Sequence, residues 1–244
     1  MSGNRIVWLS ADDPPDAFPS VELALDEPDG LLAAGGDLST PRLLAAYRAG
    51  IFPWYEQGQP ILWWSPDPRC VLPPSDYHLA RRMRQLLRNS ELEIRFDSAF
   101  PRVIRACAAP RRSQRGTWIT ADVTAAFERL HDEGWAHSVE VWNGAALVGG
   151  LYGIGIGRVF FGESMFSAVP NASKFALLAL VGHMAENAME LLDCQVVSAH
   201  LVSLGATTIP RRTFIQVLER ACHPSVRAPA WPKSPVPVRA LCGD

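Results

Sequence analysis

Glu163 stands in "GRVFFGESMFSAVPNASKFALLAL", residues 157–180, between Val159, Phe160 and Phe161 on one side and Met165 and Phe166 on the other. Those neighbours read as core, and a carboxylate taken out of water costs several kcal/mol unless it is paired or has work to do. Further along, "LLDCQ" sets Asp193 and Gln195 two apart in an apolar run. On a strand the two project from one face, while Leu192 and Cys194 face the other way. Two acids and an amide can hold a polar group and manage a proton. No P-loop, metal-ligand cluster or nucleophile elbow accompanies them, so neither a metal nor a cofactor is expected.

The rest of the chain must position these groups and supply a partner for them. Its 244 residues, 48% apolar and 20% charged, are ordinary for a soluble globular protein. The net charge of -2 hides an asymmetry: residues 69–115 hold 11 arginines against Asp76, Glu91, Glu93 and Asp97, so the remainder is acidic. A basic face on an acidic body suits a polyanion. Five cysteines without a C-x-x-C pair point to neither a disulfide framework nor a zinc ribbon, which fits a reducing cytoplasm. No secretory signal or membrane-spanning run is visible, so a cytoplasmic protein is expected.

"LSTPRLLAAYRAG" predicts a helix over 41–49, with Ser39 or Thr40 as N-cap, Pro41 at the first position and Gly50 closing it. "IFPWYEQGQPILWWSPDPRCVLPP" favours rigid turns and a strand at Ile61–Trp64, ending a small N-terminal region. From Asp76, "DYHLARRMRQLLRNS" predicts a helix with Leu79, Met83, Leu86 and Leu87 inward and Arg81, Arg82, Arg84 and Arg88 outward. A strand at Leu92–Phe96 follows, then a helix capped by Asp97 or Ser98 and another over 121–132 capped by Thr120. "HSVEVW", "AALVGGLYGI" and "RVFFGESMF" then predict an antiparallel meander. A long helix over 170–188, the strand "LLDCQVV" and a helix from Pro210 complete a β-β-β-α-β-α order. The class is α+β, a mixed α/β fold with an antiparallel-rich sheet, divided into residues 1–69 and 70–244. The tail from about 223 is Pro-rich and aperiodic, and an irregular surface extension is expected.

The stretches "EPDGLLAAGGDLS", "LLAAYRAGIFPWY", "PILWWSPDPR", "RGTWIT", "LHDEGWAHSVEVW", "LVGGLYG", "GESMFS", "NASKFAL", "LLDCQ" and "SLGA", from about Asp26 to Phe214, carry a resemblance. The chain resembles the leucyl/phenylalanyl-tRNA–protein transferases. That resemblance implies a small N-terminal domain and a C-terminal domain similar to the acetyl-CoA-dependent N-acetyltransferase (GNAT-like) fold. It also implies a reaction in which Leu or Phe, with Met a further candidate, passes from its tRNA to the α-amino group of a protein with N-terminal Arg or Lys. The acceptor is thereby marked for degradation by the N-end rule pathway. Val123, Phe127 and Ala168 depart from the family pattern, the last at a place where a basic residue is common.

An aminoacyl ester is already activated, so the enzyme need only juxtapose ester and amine and manage one proton. The resemblance places Asp193 and Gln195 at the reaction centre. Asp193 either orients or deprotonates the amine directly, or polarises Gln195. Glu163 would supply negative charge to the acceptor's basic side chain or α-ammonium group. An apolar pocket for Leu and Phe is expected from Met165, Leu151, Leu177, Leu180, Met184 and Leu192; such pockets discriminate by about 1–3 kcal/mol per methylene. The unstacked 3′ adenosine calls for aromatic faces, with Tyr47, Trp54 and Trp118 as candidates. Arg81, Arg82, Arg84 and Arg88, with Arg111, Arg112 and Arg115, would meet acceptor-stem phosphates.

Two rivals come from other classes. An acetyl-CoA N-acetyltransferase needs a Q/R-x-x-G-x-G/A segment running from a strand into a helix N-terminus, and the chain has none. A non-catalytic tRNA-binding module explains the arginines and aromatics but leaves Asp193, Gln195 and Glu163 without purpose.

Overall fold

The computed structural model describes residues 6–109 and 117–242. A small sheet is built from β1 (Val7–Leu9), β2 (Leu31–Gly35), β3 (Phe52–Pro53) and β4 (Leu62–Trp64), in the order β1-β2-β4-β3. Helix α1 (Thr40–Arg48) lies between β2 and β3 and carries Pro41 in its first turn. Gly50, at φ +73°, reverses the chain after it, a conformation that side chains resist.

The large sheet opens with β5 (Arg69–Leu72). After α2 (Arg81–Arg88), β6 (Glu93–Phe96), α3 (Phe100–Ala108) and α4 (Ala121–Asp132) comes the meander β7 (Ala136–Asn143), β8 (Ala146–Ile156) and β9 (Val159–Ser167). Helix α5 (Ala172–Glu186) leads to β10 (Leu191–Gln195), then α6 (Ala199–Val202), β11 (Thr207–Ile209), α7 (Arg211–Ala221) and β12 (Val236–Pro237). The strand order is β11-β5-β10-β9-β8-β7-β6-β12. Its one parallel pair, β9 with β10, is the pair that requires a crossover helix, which α5 supplies. The mixed α/β class expected from the order of elements is the one observed.

Each face of the large sheet has its own apolar layer. Phe175, Leu177, Leu180 and Met184 of α5 pack on Leu151, Phe160 and Leu192. On the other face Phe100, Ile104, Phe127 and Tyr152 join Tyr47, Phe52, Trp63 and Phe214, so one core runs continuously through both sheets.

Several local expectations need correction. The helix expected from Asp76 begins at Arg81, because Pro74–Asp76 form a 3-10 turn and the following residues stay extended, with the His78 N–H donating to the Leu204 carbonyl at 2.9 Å. Leu86 is exposed, not inward; Leu87 is the helix's buried leucine. Neither Asp97 nor Ser98 caps α3 with its side chain: the buried Glu140 carboxylate accepts from Ser98 and Ala99 N–H, both at 3.3 Å, at the head of that helix. The tail is not a loose extension either. Trp231 stacks on His137 with ring centroids 4.1 Å apart, β12 pairs with β6, and Val238 is fully buried. Single anchor residues hold it without any periodicity a sequence would display.

Candidate active site

Bulges set the site. Along β8 and β9, Tyr152 pairs with Ser164 and Gly153 with Gly162, which leaves Glu163 as the unpaired residue. A bulge of this kind re-aims a side chain that regular pleating would send elsewhere. Gly153 permits it: a Cβ there would collide with the Phe161 carbonyl and the Phe160 ring. The second bulge lies on β10, where register with β5 shifts between Asp193 and Gln195 and Gln195 takes φ +61°. Strict alternation therefore does not bring Asp193 and Gln195 together as expected. Leu192 and Cys194, expected on the opposite face, line the same cavity as both of them.

Gln195 reaches Glu163 through this bend. Its Nε2 donates to Glu163 Oε1 at 2.8 Å, and the Tyr47 hydroxyl donates to the same oxygen at 2.8 Å. Glu163 Oε2 is shielded from solvent without a partner among the described residues. Burial, reinforced by the nearby Asp193 charge, pushes the Glu163 carboxyl up to about 8, although the bonds from Tyr47 and Gln195 favour its ionised form. Burial, then the Glu163 charge, holds the Tyr47 hydroxyl well above the usual phenol range, so it acts as a donor.

Asp193 is placed differently. It is fully buried, and Arg69 grips both its oxygens, Nε to Oδ1 at 2.8 Å and Nη2 to Oδ2 at 2.7 Å. Oδ1 also accepts the Gln195 backbone N–H at 2.9 Å. The Arg69 guanidinium lies between the rings of Phe52 and Phe214, 4.8 and 4.7 Å from their centroids, and donates to the Gly50 carbonyl at 3.1 Å. The pair thus pins β10 to β5 and to the turn after α1. Asp193 makes no bond to the Gln195 side chain.

Glu163 and Gln195 share a wall of a cavity of about 300 Å³ whose apolar lining includes Leu151, Phe160, Met165, Leu177, Leu180 and Leu192. Met184, expected among them, is fully buried in the core behind α5 and does not reach it. Trp118 lines this cavity and also a larger cleft of about 1020 Å³, which Trp54, Trp64, Glu56 and Thr117 border. Trp54 is 44% exposed and Trp118 half-buried, so both present ring surface. Tyr47, fully buried, presents none and is no stacking platform; its hydroxyl is committed to Glu163. Arg81, Arg82, Arg84 and Arg88 are all exposed on α2. Arg111, Arg112 and Arg115 lie outside the described residues.

Sequence reasoning missed Arg69 and Tyr152. The signal for Arg69 was available: an arginine opening the apolar strand "RCVL" needs a buried counter-ion. Tyr152, another cavity residue, is fully buried with its hydroxyl unpartnered among the described residues, and nothing in "LVGGLYG" marks it. No group of three His, Cys, Asp or Glu residues that could hold a metal ion occurs among the described residues. Nor, among them, is any helix long and apolar enough to cross a membrane.

The sequence profile of the family described as Leucyl/phenylalanyl-tRNA protein transferase matches residues 71–219, and that of the family's N-terminal domain matches 36–67. The leucyl/phenylalanyl-tRNA–protein transferase of Chromohalobacter salexigens is 57% identical over 219 residues, covering 90% of this chain and 86% of its own. That of an Azoarcus species is 56% identical over 215 residues, covering 88% and 90%. A solved aminoglycoside acetyltransferase from an uncultured soil metagenomic sample, 12% identical, overlays with a TM-score of 0.36 over 60% of this chain and 99% of that one. With a profile match over more than half its length and relatives this similar over most of both chains, the chain belongs to the leucyl/phenylalanyl-tRNA–protein transferase family and is an aminoacyltransferase.

Proposed function

We propose that this aminoacyltransferase moves Leu or Phe from its tRNA to the α-amino group of proteins that begin with Arg or Lys, acting in the cytoplasm. The observation that carries this reading is that Trp118 and Ser164 line both of two cavities: an apolar one walled by Glu163 and Gln195, and a wider cleft bordered by Trp54. The apolar cavity takes the aminoacyl side chain, and desolvation excludes charged ones. Trp54 and Trp118 offer faces to the terminal adenosine, and the exposed arginines of α2 meet acceptor-stem phosphates without reading sequence.

In this reading the ester carbonyl sits beside Gln195, whose amide orients the incoming amine. Glu163 supplies the negative charge that draws a cationic N-terminus. Asp193 contributes through its neighbours: it is fully buried, Arg69 grips both its oxygens, and with Arg69 it fixes the Gln195 backbone. The reaction joins nitrogen to the carbonyl carbon and releases the ribose hydroxyl.

The test mixes the protein with tRNA carrying labelled leucine and a peptide with N-terminal Arg or, in parallel, Ala. Label on the Arg peptide alone, without ATP or acetyl-CoA, is the expected result. Equal labelling of both peptides would refute the acceptor rule, and tight binding of charged tRNA without transfer would refute the transfer reading.

A further inference from the structure

Three buried or shielded carboxylates lie within the large sheet, and two of them are fully occupied. Both oxygens of Glu140 accept, from the Ser138 hydroxyl at 2.6 Å, the Ser98 hydroxyl at 2.7 Å and two backbone N–H groups at the head of α3. Both oxygens of Asp193 are held by Arg69. Glu163 differs, because both its donors converge on Oε1 and leave Oε2 empty. Structural carboxylates are satisfied on every side; one buried with a vacant oxygen on a cavity wall keeps that oxygen for something that comes and goes.

The vacant groups also say what comes. The two cavity residues whose buried polar atoms lack partners, among those described, are Glu163 and Tyr152. The Tyr152 hydroxyl can donate or accept, but an ionised Glu163 Oε2 can only accept, so it calls for a donor such as N–H. We infer that Glu163 Oε2 receives a proton from the acceptor's α-ammonium group, so that Glu163 rather than Asp193 is the catalytic proton acceptor of the transfer. This rests on the transfer reading above. One proton of the ammonium passes to Oε2, the freed nitrogen lone pair forms the C–N bond, and the C–O bond to the ribose breaks. A second N–H proton ends on the ribose hydroxyl, and Oε2 returns its proton to water.

The electrostatics support the assignment. A Glu163 carboxyl lifted to about 8 matches an α-amino group, ordinarily at about 7.7–8.0, so the transfer is nearly balanced. The titratable and charged groups around it are Tyr47 from α1, Tyr152 from β8, Arg69 from β5 and Asp193 from β10, with His200 of α6 on the cavity lining. Burial holds both phenols well above the usual phenol range and lowers His200, the bond with Cys70 and burial raise the cavity thiol Cys194 well above its usual range, and Arg69 is paired with Asp193, so a change of charge near pH 8 beside the reacting nitrogen belongs to Glu163.

The experiment compares the wild type with Glu163→Gln and Glu163→Asp at saturating charged tRNA, measuring kcat and KM for an Arg-initiated peptide from pH 6 to 9.5. Absence of transfer by the wild type would sink the function proposed above, whatever Glu163 does. With transfer in hand, kcat of Glu163→Gln should fall about a hundredfold, a loss separate from any rise in KM caused by the missing charge, and Glu163→Asp should recover part of the kcat loss. The wild type takes the acceptor as its ammonium ion, whereas Glu163→Gln can use only the free amine. The ratio of wild-type to Glu163→Gln rates should therefore be large and level below about pH 8, where both rates rise together, and fall towards one above it. A ratio independent of pH, or a raised KM with kcat preserved, would overturn the inference and leave Glu163 as a binding charge only. Misfolding is excluded by melting: Gln mimics the neutral carboxyl that burial already favours, so the variant should melt no lower than the wild type at pH 9.

Discussion

Replacing Asp193 with Asn separates a positioning role from a chemical one. The Asp193 side chain is 0% exposed and that of Arg69 1%, and the guanidinium is closed in by Phe52 and Phe214. Asn keeps one acceptor oxygen but sets an NH₂ group against the guanidinium, losing one of the two charge-assisted bonds and leaving Arg69 uncompensated. Breaking a buried pair from one side costs about 3–5 kcal/mol. For a chain of this size each kcal/mol moves Tm by about 2–4 °C, so Asp193→Asn should melt roughly 6–20 °C lower. Scanning calorimetry or circular dichroism measures this directly. Arg69→Met paired with Asp193→Asn should be more stable than the sum of the single changes predicts, because the stranded cation is gone. Near-wild-type melting with turnover down a hundredfold would refute the reasoning and return Asp193 to a direct chemical role.

Other consequences are equally accessible. Trp118→Ala removes a face shared by both cavities and should raise the KM for charged tRNA by about 5–150-fold, equivalent to about 1–3 kcal/mol of stacking, in steady-state transfer assays. Replacing Arg81, Arg82, Arg84 and Arg88 with Gln should flatten the dependence of tRNA affinity on log salt by up to about one unit for each phosphate no longer neutralised, measured by filter binding. Gly153→Ala puts a methyl against the Phe161 carbonyl and should undo the bulge that exposes Glu163, so transfer is lost; a wild-type rate from this variant would show that the bulge does not set the site. Trp231→Ala should lower stability, by less than the about 3–5 kcal/mol of a fully buried Trp because Trp231 is half-buried, by emptying the slot beside His137 and His183, without changing KM for either substrate.

The parts of this architecture legible in the sequence were those governed by local rules. Thr120 caps α4 by accepting from the Val123 N–H at 3.3 Å, and the three strands of the meander fall where their turn residues put them. Glu163 was recognisable because a carboxylate amid aromatic residues demands an explanation, and five of the six apolar residues assigned to the pocket line the cavity. What escaped depends on distant chain. Arg69 and Asp193 meet across 124 positions, and the register shifts that bare Glu163 and turn Gln195 arise from strand pairing that no local pattern encodes. The tail escaped for a related reason: its order comes from Trp231 and Val238 finding slots in a finished sheet.

The large sheet ends on one side at β11, three residues long, and on the other at β12, two residues of which one is Pro237. Open sheets carry a hazard at their margins, where unpaired N–H and C=O groups template the docking of another copy. Here the long, apolar central strands are all interior, and each margin is too short, or too poor in donors, to accept a neighbour's strand. The β12 margin is laid down by residues that follow every other described strand in the chain, so until they arrive the longer β6 is bare. The price of a C-terminal deletion would then appear first as clumping during synthesis, ahead of any loss in the rate of transfer.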